Sequence, residues 1–455
     1  MNKKRGLSFA ESAMLLTAVN LFSQLLGFAY RVWLSRLVSP VALGVYQLVM
    51  PVYSVVMSLC VSGLTVAVSR LTATHLAKND HRSARQVVRV SLMGYIALIM
   101  CVSLAVIPFS DAISVYLLGD ARTRMGLLLL LPLMLLTGWE NVHKNYFYGS
   151  KNVVPPAISE IVEQISRTAA ILGLLMWLRP LYEETQVALI VTGMIVSEVL
   201  SAALLTFFYR RRMARIESAL PPKALPARAG AARSVIQIAV PVAASNVASN
   251  LIGSVNSVMI PGRLIVSGLP PEQSLSAYGV AFGMTMPLLA LPMAFIVAVS
   301  LTALPRVSEA RALGDSAAVR RSGLYATLAA TAVIVPFTAL LIPFGRPVAQ
   351  ALFNNAQAGQ FMEPLAIATV FGCYEYVFGS ILNGLGLQRR TAAVHISTGL
   401  LQLGLAWYLV AMPNLRLMGY VMAYGASNAL GAVLCLMFLL GELWPGRSAP
   451  HRLKT

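Results

Sequence analysis

Charged side chains are scarce inside the apolar stretches of this 455-residue chain, and those few are where chemistry could be done. An ionisable group at membrane depth is costly and calls for a partner, a cavity or a proton, so each is a candidate site. The run GWENVHKNYFYGS sets Glu140 and Lys144 one helical turn apart, where they neutralise each other as a structural pair. Further on, Glu160, Glu163 and Arg167 recur at i, i+3 and i+7 on one helical face, with Gln164 beside them. Glu163 and Arg167 read as a second structural pair, which leaves Glu160 the less compensated acid. Glu198 and Glu375 have no counter-charge nearby in sequence. Glu375, Glu198 and Glu160 are therefore the candidates for coupling to a proton or cation, because burial favours the protonated carboxyl.

A second group could hold a substrate. Gln24 and Arg31 lie seven residues apart on one face, and Arg31 offers a permanent, fork-shaped cation that suits a phosphate. The alternative is a side chain that snorkels to the membrane surface. Asn246, Asn250, Gly253 and Ser257 form one stripe, either a lining that hydrogen-bonds sugar or small-residue glue between helices. Arg167, Asn246 and Asn250 join Arg31 and Gln24 as the substrate-binding candidates. The five histidines, His75 and His81 among them, lack metal-ligand spacing. Cys60, Cys101, Cys373 and Cys435 read as buried packing residues without a Cys-x-x-Cys pair. No phosphate-binding loop or nucleophile elbow is present, so the expectation is not an enzyme, with no cofactor and no metal.

The elements that position these residues can be read from composition. At 57% hydrophobic and 11% charged, with a mean hydropathy of +0.72, the chain lies outside the range of soluble domains. Runs of about 20 apolar residues, the length of a membrane-crossing helix, recur at 12–35, 43–68, 90–109, 126–148, 155–178, 187–208, 235–259, 276–302, 323–343, 363–385, 392–411 and 419–441. Each must satisfy its own backbone in lipid, so the prediction is an all-α polytopic membrane protein. The net charge of +18 would suggest nucleic acid in a soluble protein. Here it is explained by where it falls: 25 Lys and Arg lie on one side of the spans and 7 on the other, which places both termini in the cytoplasm and predicts no nucleic-acid partner. The start, MNKKRGLSF, reads as a retained first span, and Trp33, Trp177, Trp407 and Trp444 fall near span ends as an interfacial belt. The basic 209–234 stretch, broken by Pro221, Pro222 and Pro226, reads as a linker between lobes 1–208 and 235–441, with a tail at 442–455.

The halves repeat. Pro51 and Arg70 match Pro287 and Arg306 at an offset of 236, Asp80 matches Asp315 at 235, and Glu140 with Gly149 matches Glu375 with Gly384, again at 235. An even number of spans in each half gives the two six-helix lobes one orientation, related by an axis along the membrane normal. The repeat sets Glu140 and Glu375 at equivalent depth, but Gly379 stands in the place of Lys144, which leaves Glu375 without a local cation.

At GFAYRVWLSRLVSP, LGVYQLVMPVY and SGLTVAVSRLTA, and again at AYGVAFGMTMPLLALPMAF and TALPRVSEA, the chain resembles the stage V sporulation protein B-like polysaccharide exporters. These belong to the multidrug/oligosaccharidyl-lipid/polysaccharide flippase superfamily. The resemblance implies a MATE-like, two-lobe transporter that moves a polyprenyl-diphosphate-linked saccharide by alternating access. The partners it implies are that lipid-linked substrate, membrane lipids and enzymes of cell-wall or polysaccharide synthesis, around a monomer. The lipid II branch carries a Ser-Arg pair, then Leu-Gly-Phe, then Arg-Asp; here Ser23 and Leu26-Gly27-Phe28 match, Gln24 replaces the first arginine, and Tyr30-Arg31 replaces Arg-Asp. Two other readings are a cation-coupled multidrug extruder of the same plan and a membrane scaffold without transport.

Overall fold

Among the described residues, twelve helices are long and apolar enough to cross a membrane, and no strand occurs. The computed structural model describes residues 9–218 and 228–443. The first eight residues, Pro221, Pro222, Lys223 and Pro226 of the linker, Trp444 and nearly all of the 442–455 tail lie outside the described residues. The crossing helices are α1 (Phe9–Leu37), α2 (Pro40–Ala77), α3 (His81–Val106), α4 (Thr123–Gly149), α5 (Val154–Leu178) and α6 (Glu183–Ser218). They continue as α7 (Arg228–Val266), α8 (Leu291–Ala312), α9 (Ser316–Phe353), α10 (Ala356–Gly384), α11 (Gln388–Leu409) and α12 (Leu417–Leu443).

Two compact units result, Met1–Val258 and Met259–Thr455. In the first, α4 packs against α2, α3 and α6, while α5 packs against α1 and α6. In the second, α10 packs against α8, α9 and α12, and α11 lies along α12. The core there includes Ile296, Val307, Ala330, Ile334, Cys373 and Cys435. Cys101 differs from expectation: it is exposed on α3, whereas the other three cysteines are buried. Trp33, Trp177 and Trp407 are all largely exposed, as side chains at a membrane interface would be.

The spans differ from simple runs in two places. α2 contains a wide, π-type turn at Ser58–Ser62, where the hydrogen bonds reach one residue further than in an α-helix. The eighth crossing, expected as one run over 276–302, is assembled from Pro271–Tyr278, a wide turn at Gly279–Thr285, Met286–Leu289 and then α8. Pro287 and Pro292 supply no backbone N–H there, so the ladder is interrupted where they fall. α7 contributes to both units. In the first, its Asn250 Nδ2 donates to Ser58 Oγ at 2.7 Å. In the second, its Arg263 Nε donates to Trp407 O at 2.8 Å, with the guanidinium 4.3 Å above the Trp407 ring.

The repeat is written into the helix ends. Left-handed residues turn the chain at Asn79 and Gly314, at Gly119 and Asn354, and at Lys151 and Gly386, each pair 235 apart. Gly149 and Gly384 end α4 and α10. A Cβ on the first would collide with Ser69 O, and one on the second would lie 3.1 Å from Leu304 O, again 235 apart. These contacts set the register at 235, so Arg70 falls opposite Pro305 and its sequence match to Arg306 is one residue out of phase.

Asp80 and Asp315 cap α3 and α9 identically, each side chain accepting from the amide three residues on at 2.9 Å. Asp80→Ala and Asp315→Ala should each cost about 1 kcal/mol, and the Asn variants much less. Burial pulls the Asp80 carboxyl upward, but hydrogen bonds from Ser83 and the nearby His75 outweigh it and hold it below its ordinary value. A depressed carboxyl stabilises fully above its unfolded pKa, and that contribution is lost as pH falls below about 4. Thermal unfolding in detergent should show Asp80→Asn closer to the parent than Asp80→Ala at pH 7, and the parent falling toward Asp80→Asn near pH 2 as its carboxyl takes up a proton, while Asp80→Ala stays below both.

Candidate functional site

In the first unit, the polar residues that sequence scattered over three spans meet where α4, α5 and α6 pack. Glu140 on α4 is buried and accepts from Ser159 Oγ at 3.1 Å, Ser201 Oγ at 2.7 Å and Lys144 Nζ at 3.1 Å. Serines fit there because their small hydroxyls let the helices approach while still donating. Lys144 reaches across to Glu160 Oε2 at 3.2 Å and Glu163 Oε2 at 3.6 Å on α5. Arg167 pairs with Glu163 one turn before it and lies 3.5 Å from Glu198 Oε1 on α6. Carboxylate oxygens of Glu140, Glu163 and Glu198 fall within 4.8 Å of one another. Four carboxylates thus share two cations, a charge excess that a proton or small cation would relieve. Glu198 Oε2 and Arg167 Nε are buried without a hydrogen-bond partner among the described residues.

In the second unit, Glu375 on α10 is 7% exposed, and its Oε1 lies 2.9 Å from His395 Nδ1 on α11. Two glycines make the space. A Cβ at Gly431 on α12 would collide with the Glu375 carboxylate, and one at Gly379 would reach 3.1 Å from Thr391 Cγ2 and 3.6 Å from His395 Nε2. The pair opens onto a cavity of about 280 Å³ lined by Thr398, Gln402, Tyr424 and Asn428 among others. Asn428 Nδ2 is buried there without a partner among the described residues.

Several sequence expectations change. The pairs Glu140–Lys144 and Glu163–Arg167 form as expected. Glu160, read as the less compensated acid, lies 3.2 Å from Lys144, a cation it shares with Glu140 and Glu163. Glu198 does have a counter-charge, Arg167, and Glu375 has His395, a counter-charge only when protonated; both are supplied by a neighbouring helix. Arg167 is committed to two carboxylates and is not a spare cation for substrate. Asn250 bonds Ser58 Oγ and the carbonyl of Asn246, which is the helix-glue alternative. Arg31 and Gln24 are both exposed on α1, and among the described residues no carboxylate pairs with Arg31. His395, Gly431 and Asn428 escaped the sequence reading, although the 235 offset carries Glu160 onto His395 and could have placed a titratable side chain beside Glu375.

A helical two-unit chain with buried charge centres in crossing helices has the build of a multi-pass membrane transporter, and known proteins agree. A solved structure described as an inward-facing multidrug resistance MATE family transporter of the MOP superfamily is 15% identical, with a TM-score of 0.74 over 95% of this chain and 98% of that one. A MOP superfamily transporter from Pyrococcus furiosus, described as having a binding pocket of reversed polarity, gives 0.66 at 16% identity over 95% of each chain. Stage V sporulation protein B of Bacillus subtilis (strain 168) is 22% identical over 432 residues, 94% of this chain and 82% of that protein. The family model described as "Polysaccharide biosynthesis protein" matches residues 9–311, and a MatE model matches 241–408. The chain belongs to the polysaccharide biosynthesis protein family. Family and fold point to a transporter rather than an enzyme.

Breaking a buried pair costs more than the pair contributes, because the remaining charge is stranded. Lys144→Met should therefore destabilise by about 3–5 kcal/mol, and adding Glu140→Gln should recover part of it. Thermal unfolding of the two variants in detergent checks this. If Lys144→Met melts like the parent, the lysine is not holding the acids.

Proposed function

We propose that the chain is a flippase that moves a polyprenyl-diphosphate-linked saccharide across the cytoplasmic membrane by alternating access, as a monomer with both termini in the cytoplasm. Residues 1–208 and 235–441 are its lobes, 209–234 the basic linker and 442–455 the tail. The observation that carries this reading is Arg31. Among the described residues, Lys144 and Arg167 are tied to carboxylates, while Arg31 on α1 is exposed with none beside it. An unneutralised guanidinium is the donor a diphosphate requires, and Gln24 on the same face and Asn246 on α7 can add hydrogen bonds to it or to sugar. The family match supports a saccharide substrate. No ATP is needed, since an inside-negative potential drives an anion outward by about 2.3 kcal/mol per charge per 100 mV.

The return step uses Glu375, with Glu198 and Glu160 as further coupling acids. The Glu375–His395 contact is an ion pair only while the imidazole carries its second proton. One state of the transporter should hold the proton or cation more tightly than the other. A second reading, a cation-coupled multidrug extruder, is favoured by the acid excess around Glu163 and Glu198.

Proteoliposomes separate the two readings. A fluorescent polyprenyl-diphosphate saccharide should move between leaflets, and ethidium should not accumulate; the opposite pattern would install the extruder. Arg31→Ala should slow saccharide movement tenfold or more, on the order of a lost charge-assisted bond, and Arg31→Lys should slow it less. Glu375→Gln and His395→Gln should flatten the pH dependence of transport while the protein still folds. Gly431→Ala should do the same, because its methyl occupies the place of the carboxylate. An unchanged pH profile in folded Glu375→Gln would remove the coupling role.

A further inference from the structure

The first unit carries a built groove that the transport reading leaves unused, at the end of the bundle where α3 begins and α6 finishes. Two depressions meet there. One, of about 460 Å³, runs between α3, α4 and α6 past Arg85, Arg89, Trp139, Tyr209 and Arg210. The other, of about 650 Å³, continues along α4 and α6 past Leu136, Ala202, Ala203 and Phe207, and it shares Trp139, Thr206 and Arg210 with the first. The shared floor is fixed by Trp139 Nε1 donating to Thr206 Oγ1 at 2.9 Å, which ties α4 to α6.

Charge and depth identify the occupant. Arg85 is paired with Glu217. Arg212 is engaged with Ser150 Oγ at 2.8 Å. Arg89, Arg210 and Arg211 are exposed and have no carboxylate partner among the described residues. Arg210 lies 27 residues into α6, roughly 40 Å along the helix at 1.5 Å per residue. That length exceeds the roughly 30 Å hydrocarbon core, so the arginines stand at headgroup level. Ala203 lies roughly 10 Å back along α6, within acyl-chain depth, and its small side chain leaves the notch that Leu136 and Phe207 wall. A basic mouth over an apolar trough fits an amphiphile with a phosphate at one end.

We infer that this groove binds an anionic glycerophospholipid of the surrounding leaflet, its phosphate between Arg89 and Arg210 and an acyl chain along Ala203 and Phe207. The site is separate from Arg31 and from the buried acids, so it stands or falls apart from the transport reading.

Native mass spectrometry of the full chain in neutral detergent tests it, with phosphatidylglycerol and phosphatidylcholine of matched chains as probes. The parent should retain phosphatidylglycerol preferentially. Arg89→Gln with Arg210→Gln should weaken that binding about fivefold per arginine, leaving phosphatidylcholine unchanged, while the double Lys variant keeps most of it. Ala203→Phe should weaken phosphatidylglycerol binding with both arginines intact. The assignment is overturned if the double Gln variant binds as the parent does. It is also overturned if millimolar inorganic phosphate displaces the lipid completely, which would mark a free-anion site, or if a polyprenyl phosphate binds there and phosphatidylglycerol does not.

Discussion

A carboxylate held on the innermost helix of an apolar bundle must be met by a cation or a proton, and the two compact units meet that demand with different chemistry. Glu140 is met by Lys144 from its own helix, one turn on, and by two serine hydroxyls. Glu375, at the repeat-equivalent position, is met by His395 from the next helix, because the place of Lys144 is taken by Gly379. Lys144 meets its carboxylate through an ammonium at 3.1 Å, His395 through a ring nitrogen at 2.9 Å that carries charge only when protonated. One repeated plan thus meets its carboxylate with an ammonium from the same helix in one unit and an imidazole from the next helix in the other. Everything around them, from Ser159 and Ser201 to Gly431, is shaped by the need to surround a carboxylate without leaving a void or a clash.

The same economy appears where α4 and α10 end. Gly149 and Gly384 lie against the backbone carbonyls of Ser69 and Leu304, close enough that a methyl group would collide with or crowd them. Close helix approach through glycine is the membrane solution to packing when neighbouring lipid is as apolar as any side chain. The left-handed residues just beyond these ends reverse the chain in the same place in both units.

Much of this was legible in the sequence. Twelve apolar runs, an offset of 235 and the two i,i+4 ion pairs depend only on spacing along one helix, which sequence records directly. What it hid were partners that arrive from another helix: Lys144 to Glu160, Arg167 to Glu198, His395 to Glu375 and Asn250 to Ser58. Those depend on the rotational phase of neighbouring helices. Phase is set by side-chain packing and by features such as the wide turn at Ser58–Ser62, which adds a residue to a turn and re-aims the side chains beyond it. The eighth crossing differs from a single run for a local reason, since its prolines and glycines break it into several short helical pieces.

The absence of a side chain at Gly431 ties the fate of that position to Glu375, because the carboxylate fills the space a methyl group would need. Substitutions at the two positions are therefore ordered in time. Shortening residue 375 first leaves a small void, a cost that scales with the volume lost. Enlarging residue 431 first drives a methyl into a buried carboxylate, a state from which the helices must part or the acid must swing away. A lineage leaving this arrangement would accordingly give up the acid before the glycine, and a lineage regaining it would have to recover the glycine before the acid. The first of those steps also withdraws the carboxylate from His395. The contact with His395 is thus lost at once in divergence, while the space that accommodated it persists as a trace of its former presence.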